Sequence, residues 1–260
     1  MSTTTELYNE IQSAETDPVM RKGTFYELIF AVLFTALLVW TGFYLLNPAT
    51  LPIKQVRIEG EFRHLSTNIL QDLVRPKVTG GFFNIDVTAV RNTLLTEPWV
   101  RNASVHRVWP DSLQVFVTEQ VAVARWKDTA LLNRSSQIFK PDRSSFPAGL
   151  PKLEGPEGSQ VMMMDKYLYL QKQLVPLAMQ AAVLRLDERR AWTFESGDGL
   201  LVVIGRKDFD ERVTRFVELM PRSLGTNIQD AEMIDMRYPN GFAVRWKAGV
   251  TEIRQESGAL

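Results

Sequence analysis

The sequence has no cysteine and only two histidines, His64 and His106, among its 260 residues. Without cysteine the chain has no disulfide framework, no thiolate zinc site, no cysteine-ligated iron–sulfur cluster and no cysteine nucleophile. Two histidines are too few for a metal centre that needs several of them. We therefore expect neither a metal site nor a cofactor. The lack of cysteine does not identify the cellular compartment, because a larger domain can be stable in an oxidising space without disulfides.

An excess of charge of one sign is also missing, since 30 Lys and Arg residues balance 30 Asp and Glu residues. A net charge of zero provides no global basic field, so a nucleic-acid partner is not expected. The signatures G-x-S-x-G, H-E-x-x-H, G-x-x-x-x-G-K-[ST] and G-x-G-x-x-G do not occur. Glu195 and Asp198 resemble an acid/base pair, but two carboxylates beside a turn are usually solvated surface. We predict that the protein is not an enzyme.

Long hydrophobic runs are absent except for residues 28–46, a stretch of 19 residues without charge. At about 1.5 Å per residue it covers the roughly 30 Å hydrocarbon core of a bilayer. A cleaved signal peptide, the main alternative, usually has a shorter apolar core nearer the N-terminus. A buried core helix is the other alternative, but this run has no polar face at any helical spacing. We predict one transmembrane helix over 25–46.

The flanking charges indicate the orientation of this helix. Arg21 and Lys22 lie close to its N-terminal end, whereas Lys54 and Arg57 lie further beyond the other end. Basic residues favour the cytoplasmic side of a span. The pattern therefore favours a cytoplasmic tail over 1–24 and places residues 47–260 outside.

The rest of the chain has a composition typical of globular domains, and its first part predicts a compact unit over 53–120. Two prolines in 47–52 favour an extended linker. An alternating strand then ends at Gly60, and Ser66 is a suitable N-cap for a helix. A second helix is ended by Pro98, and two strands follow over 99–108 and 113–117. The predicted order is strand, helix, helix, strand, strand.

Residues 121–250 predict a second unit, a mostly antiparallel sheet with packed helices, followed by a flexible tail over 251–260. One helix is predicted over 165–181. Another begins at Asp208, with Glu211 at the capping-box spacing. Its apolar residues recur on one face from Phe209 to Met220. The β runs lie at 121–126, 131–139, 192–194, 200–204, 233–238 and 242–246.

Several motifs then point to a known family. EPWVRNASVHRVWPDSLQVFVTE, which ends the first unit, resembles the closing strands of a POTRA domain. VAVARW, LEGPEGS, ERRAW, GRKDFDERVTRFVELMP and MIDMRYPNGFAVRW follow in the order found in the FtsQ/DivIB family of bacterial cell-division proteins. The resemblance extends from the apolar helix to Trp246, and it rests on these motifs occurring together. It implies an α+β protein with one membrane helix, a POTRA domain and a β domain.

The resemblance also implies a function. A member of this family is an essential scaffold of the division machinery in the inner membrane, single-pass with its N-terminus in the cytoplasm, located at the septum. Its periplasmic β domain binds FtsB and FtsL, which links early and late division proteins, and its POTRA domain contacts earlier proteins such as FtsK. Apart from these proteins, only membrane lipid is implied as a partner. A membrane-anchored periplasmic enzyme acting on the cell wall is the alternative.

The last strand pair carries the sharpest candidate site. A terminal strand at a sheet edge leaves backbone groups free for a partner strand. Tyr238 offers an aromatic anchor, Gly241 permits close backbone approach, and Trp246 adds a large apolar face. The resemblance places the FtsB contact on Arg189, Tyr238, Asn240, Gly241 and Trp246, with Arg189 expected on the neighbouring strand. Alternatively, Tyr238 and Trp246 simply cover the sheet.

Pro239 stands at a position where members of the family usually have a polar residue. It removes one backbone donor and puts the pairing register in doubt.

A second candidate surface lies in the POTRA domain, on its second strand and second helix. The resemblance implies a recruitment surface formed by Val87, Asn102, Val105 and Arg107. The physical reason is that a short exposed strand edge is a pairing template. The alternative for Val87 and Val105 is that they fill the core.

Overall fold

The computed structural model describes residues 22–47, 49–239 and 241–248. Its first element is helix α1 (Lys22–Leu46). The stretch Phe25–Leu45 is long and apolar enough to cross a membrane, and none of it is buried against the rest of the chain. Large side chains such as Phe30 and Leu33 are exposed. The predicted apolar helix is confirmed, and its all-round apolar surface suits a lipid environment.

The linker that follows α1 is compact. The N–H of Thr50 donates to the carbonyl of Asn47 (3.0 Å). The Asn47 side-chain oxygen also accepts from the N–H of Ala49 (3.0 Å). The expectation of extended chain over 47–52 was therefore wrong at its start, because asparagine stabilises a turn through its own side chain.

The first folded unit has the predicted order of strand, two helices and two strands. Ser66 caps its first helix by accepting from the N–H of Ile69 (3.3 Å). Asp86 caps the second by accepting from the N–H groups of Thr88 and Ala89, both at 2.9 Å. The elements are β1 (Gln55–Glu59), α2 (Thr67–Val74), α3 (Val87–Leu94), β2 (Val100–Val108) and β3 (Ser112–Glu119), with a 3₁₀ turn at Arg75–Lys77.

The three strands form a sheet in the order β1-β3-β2. Strand β1 runs parallel to β3, with Gln55 opposite Ser112, and β2 runs antiparallel to β3. Strand β2 is therefore an edge strand beside α3. Because β1 and β3 both start at the same end, the β2–β3 turn lies at the end of the unit where the chain enters from α1.

The second unit is a nine-stranded sheet in the order β12-β11-β10-β9-β8-β7-β4-β5-β6. Three pairs are parallel, namely β10 with β11, β4 with β7 and β7 with β8. The other five are antiparallel, which makes the sheet mostly antiparallel. The strands are β4 (Ala122–Trp126), β5 (Ala130–Asn133), β6 (Ile138–Phe139), β7 (Lys152–Glu154), β8 (Ala181–Leu186), β9 (Trp192–Ser196), β10 (Leu201–Gly205), β11 (Ala231–Asp235) and β12 (Ala243–Trp246).

Helices α4 (Gln160–Leu174) and α5 (Phe209–Ser223) pack on the sheet. Short 3₁₀ turns lie at Arg143–Ser145, Val175–Leu177 and Gly225–Asp230. Phe216 of α5 meets Phe194 of β9 edge to face, with ring centroids 5.7 Å apart. The predicted apolar face of α5 is confirmed, because Phe209, Val213, Phe216 and Met220 are all buried.

Two helix predictions were wrong in detail. The helix expected over 165–181 is α4, which starts earlier and ends at Leu174, because Pro176 in the next turn cannot donate the following helical bond. Ala181 already belongs to the unpredicted strand β8. The capping box at Asp208 does not form. Asp208 has a left-handed backbone (φ 55°), so its carboxylate makes no capping bond, since such caps need extended backbone.

The two units share a core at their junction. Trp99 of the first unit packs edge to face on Phe139 of the second, with centroids 5.2 Å apart. The indole N–H of Trp99 also donates to the hydroxyl of Ser145 (3.0 Å). His64 stacks on the other side of Trp99 at 3.9 Å. These contacts hold the two units as one continuous body.

Glu119, the last residue of β3, completes this junction. Its carboxylate accepts from the N–H groups of Arg63 (2.7 Å) and His64 (3.0 Å) and contacts Nδ1 of His64 (2.7 Å). Burial alone would raise the pKa of Glu119, but these hydrogen bonds outweigh it and hold the pKa below its ordinary value. The charged carboxylate therefore ties the β1–α2 loop to the end of β3, where the chain passes into the second unit.

Candidate functional site

Strand β12 is one edge of the nine-stranded sheet. It pairs only with β11 among the described residues, with Ile234 opposite Val244 and Asp235 opposite Ala243. Val244 and Trp246 are half-buried and pack against the main core, whereas Ala243 and Arg245 are exposed. No described strand covers the outer backbone edge of β12, so within the described part of the chain this edge is available to another strand.

The β11–β12 turn presents Tyr238, which is 55% exposed. Its base is fixed by the ion pair between Asp235 and Arg237 (2.6 Å). The hydrogen bonds from Arg237 outweigh burial and hold the pKa of Asp235 below its usual range. A side chain at Gly241 would meet no atom within 4 Å, so nothing inside the described chain requires glycine there. Asn240 lies outside the described residues.

Arg215 of α5 holds this turn from behind. Its Nη1 donates to the carbonyl of Pro239 (2.6 Å). Its Nη2 donates to the carbonyls of Tyr238 (3.1 Å) and Met236 (3.2 Å). A planar guanidinium with several donors suits such a cluster of oxygens. The geometry of the Tyr238 turn therefore depends on the Arg215 side chain as well as on the Asp235–Arg237 ion pair. The sequence analysis did not identify Arg215, because its partners are backbone atoms.

Arg189 is not on the strand beside β12, so that expectation was wrong. It lies exposed in the turn between β8 and β9, and β10 and β11 separate β9 from β12. The turn is nevertheless at the same end of the sheet as the Tyr238 turn, since Trp192 pairs with Gly205 at the end of β10, and β11 runs parallel to β10. Three strand spacings separate the two turns, roughly 14 Å. Arg189 makes no ion pair with any described residue.

The POTRA candidates are only partly brought together. Val87 and Val105 are half-buried and pack against the core of the first unit. Arg107 extends from the same face of β2 and donates to the carbonyl of Ile85 (2.7 Å) beside the start of α3. Asn102 is exposed, and strand alternation places it on the opposite face.

The open edge of β2 is also partly occupied. Arg91 of α3 donates from Nε to the carbonyl of Ala103 (2.9 Å). This leaves the Arg107 end of β2 as its more accessible part.

The two carboxylates that resemble an acid/base pair have other partners. Glu195 forms an ion pair with Arg185 (3.2 Å), and Asp198 accepts from the hydroxyl of Ser196. Over the described ranges, no group of three or more His, Asp and Glu residues could hold a metal ion. Glu195 and Asp198 are therefore engaged in local contacts within the chain.

Comparison with known proteins agrees with the two-unit architecture. A family model described as "POTRA domain, FtsQ-type" matches residues 51–120, and one described as "Cell division protein FtsQ/DivIB, C-terminal" matches residues 124–237. The chain is 34% identical over 201 residues to a cell division protein FtsQ from Coxiella burnetii, covering 77% of this chain and 83% of the relative.

Two further relatives give similar coverage. A protein of the same description from Nitrosospira multiformis is 36% identical over 200 residues, with 75% and 84% coverage. One from Methylomonas methanica is 32% identical over 214 residues, with 82% and 86% coverage.

Proposed function

Because the chain belongs to the FtsQ/DivIB family of cell division proteins, we propose that it is a non-enzymatic scaffold of the divisome. It binds FtsB, and through it FtsL, by adding a partner strand to β12. The observation that carries this proposal is the open β12 edge next to an exposed, internally braced Tyr238. Main-chain pairing supplies affinity in such an arrangement, and alternate side chains supply specificity.

The neighbouring contacts define how such a strand would lie. The carbonyls of Tyr238 and Pro239 are already bound by Arg215, and Pro239 has no N–H to donate. Pairing is therefore expected along β12 itself, Ala243–Trp246. Tyr238 then contributes through its side chain, as an aromatic anchor at the end of the pairing.

Arg189 extends this interface along the end of the sheet. A partner strand on the outer side of β12 lies at least four strand spacings from the Arg189 turn, so it must continue for roughly 20 Å along the end of the sheet to reach Arg189. An unpaired guanidinium is suited to a carboxylate, which it binds through two parallel hydrogen bonds. We expect an acidic residue in the partner at that distance from its paired strand.

The membrane helix completes the proposal. With α1 in the inner membrane and the N-terminal tail in the cytoplasm, both folded units lie in the periplasm, at the division septum. Arg21 and Lys22 on the N-terminal side support this orientation. The alternative of an envelope enzyme has little support, since Glu195 is held by Arg185 and Asp198 by Ser196.

Depletion of the protein tests this function. Loss of a divisome scaffold should produce filaments with regularly spaced nucleoids, and the tagged wild-type chain should recover FtsB on purification. Lysis or altered wall chemistry without filamentation would contradict the scaffold role and support the enzyme.

Arg107 tests the proposed recruitment role of the POTRA unit. Arg107→Glu should abolish septal localisation, because it reverses the charge at the accessible end of β2. It also removes one hydrogen bond to Ile85, so a loss of about 1 kcal/mol in stability is expected. Arg57→Glu, on the opposite edge strand β1, is the matched control and should localise normally. Fluorescence microscopy of tagged variants measures this, and septal Arg107→Glu would refute the claim.

A further inference from the structure

The end of the POTRA unit where the chain enters from α1 carries exposed aromatic side chains. We call this the membrane-proximal end and define it by residues 51–54, 81–83 and 108–111. Trp109 at the tip of the β2–β3 turn is 74% exposed, Phe83 is 46% exposed and Val108 is 42% exposed. These side chains are not needed to fill the core of the unit, so their exposure calls for another environment.

Backbone contacts hold the three segments of this end together. The N–H of Phe82 donates to the carbonyl of Leu51 (2.8 Å), and Pro52 forms a β-bridge with Gly81. The N–H of Lys54 donates to the carbonyl of Asp111 (2.8 Å). The chain is therefore fixed to the unit from Leu51 onward.

The connection from α1 to this fixed point is very short. Helix α1 ends at Leu46, and the hydrogen bond from the N–H of Thr50 to the carbonyl of Asn47 has the three-residue spacing of a turn. The ends of such a turn lie within about 7 Å, and each further residue adds at most about 3.8 Å. Leu51 is thus within roughly 15 Å of the end of α1. A span that ends at the hydrocarbon boundary therefore keeps this end within roughly 15 Å of that boundary, close enough to reach the headgroup layer.

The chemistry of this end fits a lipid–water interface. Tryptophan prefers the headgroup level, where its ring meets apolar chains and its N–H meets polar groups. Lys54, whose ammonium pairs with Asp111 (3.2 Å), and Lys77 are both exposed and supply cations that can meet lipid phosphates. A cluster of one tryptophan, one phenylalanine and flanking lysines, held close to a span, matches an interfacial anchor.

We propose that the membrane-proximal end docks on the leaflet from which α1 emerges, with Trp109 and Phe83 inserted at the headgroup level. This rests on the membrane anchoring in the proposed function, and it adds a second contact with the bilayer. The contact sets the orientation of the folded units, because a single point of attachment leaves rotation about that point unrestricted.

The absence of native cysteine makes site-directed labelling straightforward. The full chain is reconstituted in phosphatidylethanolamine–phosphatidylglycerol nanodiscs with a nitroxide at Val108→Cys, and its accessibility to oxygen and to a water-soluble nickel complex is measured. Gly42→Cys inside α1 reports the bilayer, and Thr96→Cys at the far end of the POTRA unit reports water. The Val108 label should be several-fold less accessible to nickel than the Thr96 label, and adding Trp109→Ala with Phe83→Ala should remove that protection.

The outcomes separate the two claims. If the Gly42 label reads as lipid while the Val108 label is as accessible to nickel as the Thr96 label, the docking is overturned and the anchor stands. If the Gly42 label itself reads as water, the anchoring fails, and the docking fails with it. Protection at Val108 that survives the double alanine variant would overturn the roles of Trp109 and Phe83.

Discussion

Tyr238→Ala is expected to weaken FtsB binding by about 2–4 kcal/mol, a loss of roughly 30- to 1,000-fold in affinity. Tyr238 is exposed in the free protein and sits at the end of the open edge strand. An aromatic side chain in that position becomes desolvated when a partner strand pairs with β12, which is the usual setting of an interface hot spot. Stability should change little, because the ring fills no core space.

Titration of the full chain with FtsB measures this effect. Leu168→Ala, an equally exposed apolar truncation on α4, is the control and should bind normally. Trp246→Ala should also weaken binding, but Trp246 packs on the main core, so a parallel thermal melt is needed to separate the two effects. Wild-type affinity in both the Tyr238 and the Trp246 variants would move the interface elsewhere.

Arg215→Ala should reduce FtsB affinity by about 10- to 100-fold, although Arg215 itself is not expected to contact the partner. The guanidinium donates to three carbonyls of the β11–β12 turn, and without it the turn must be ordered during binding instead of beforehand. Such ordering is a direct loss of binding free energy. Arg215→Lys should recover part of the affinity, because an ammonium can still donate to some of these oxygens.

Arg212→Ala is the matched control for Arg215. Arg212 lies three residues earlier on α5 and donates to the carbonyl of Ile204 (2.6 Å) and not to the carbonyls of the Tyr238 turn, while its charge helps to keep the pKa of Asp235 low. It should lower the melting temperature similarly and leave affinity nearly unchanged. If Arg215 acts by positioning Tyr238, the variant that combines Arg215→Ala with Tyr238→Ala should bind no more weakly than Tyr238→Ala alone. Fully additive losses, or wild-type binding by Arg215→Ala, would contradict this role.

The features that sequence predicted well are those set by local pattern. The order of elements in the POTRA unit follows from alternation in β1 and β3 and from caps such as Ser66. The apolar face of α5 follows from its 3.6-residue period. The family motifs added the assignment of Tyr238 and Arg189 to a partner contact, which stays a prediction.

The features that sequence missed depend on distant contacts or on single backbone angles. Strand β7 has three residues and no readable period, and it is stabilised by its parallel neighbours β4 and β8. The misplaced Arg189 reflects strand order, which no local pattern encodes. Arg215 binds backbone carbonyls 21 to 24 residues away. Every residue has such a carbonyl, so no residue type in the sequence marks the partner. At Asp208 one left-handed φ was enough to cancel a capping motif.

The shared core between the two units fixes the distance from the membrane-proximal turn to the second unit. Strand β3 runs from the membrane-proximal turn to the junction, and its eight residues span roughly 27 Å. Because Trp99 packs on Phe139 across the junction, the second unit cannot swing back towards the membrane-proximal end as it could on a loose linker. Under the proposed function, a partner anchored in the same membrane would have to rise by a comparable distance before it meets the second unit, which corresponds to about 18 residues of helix. We would then expect the spacing between the span and the contact segment of the partner to match the length of β3.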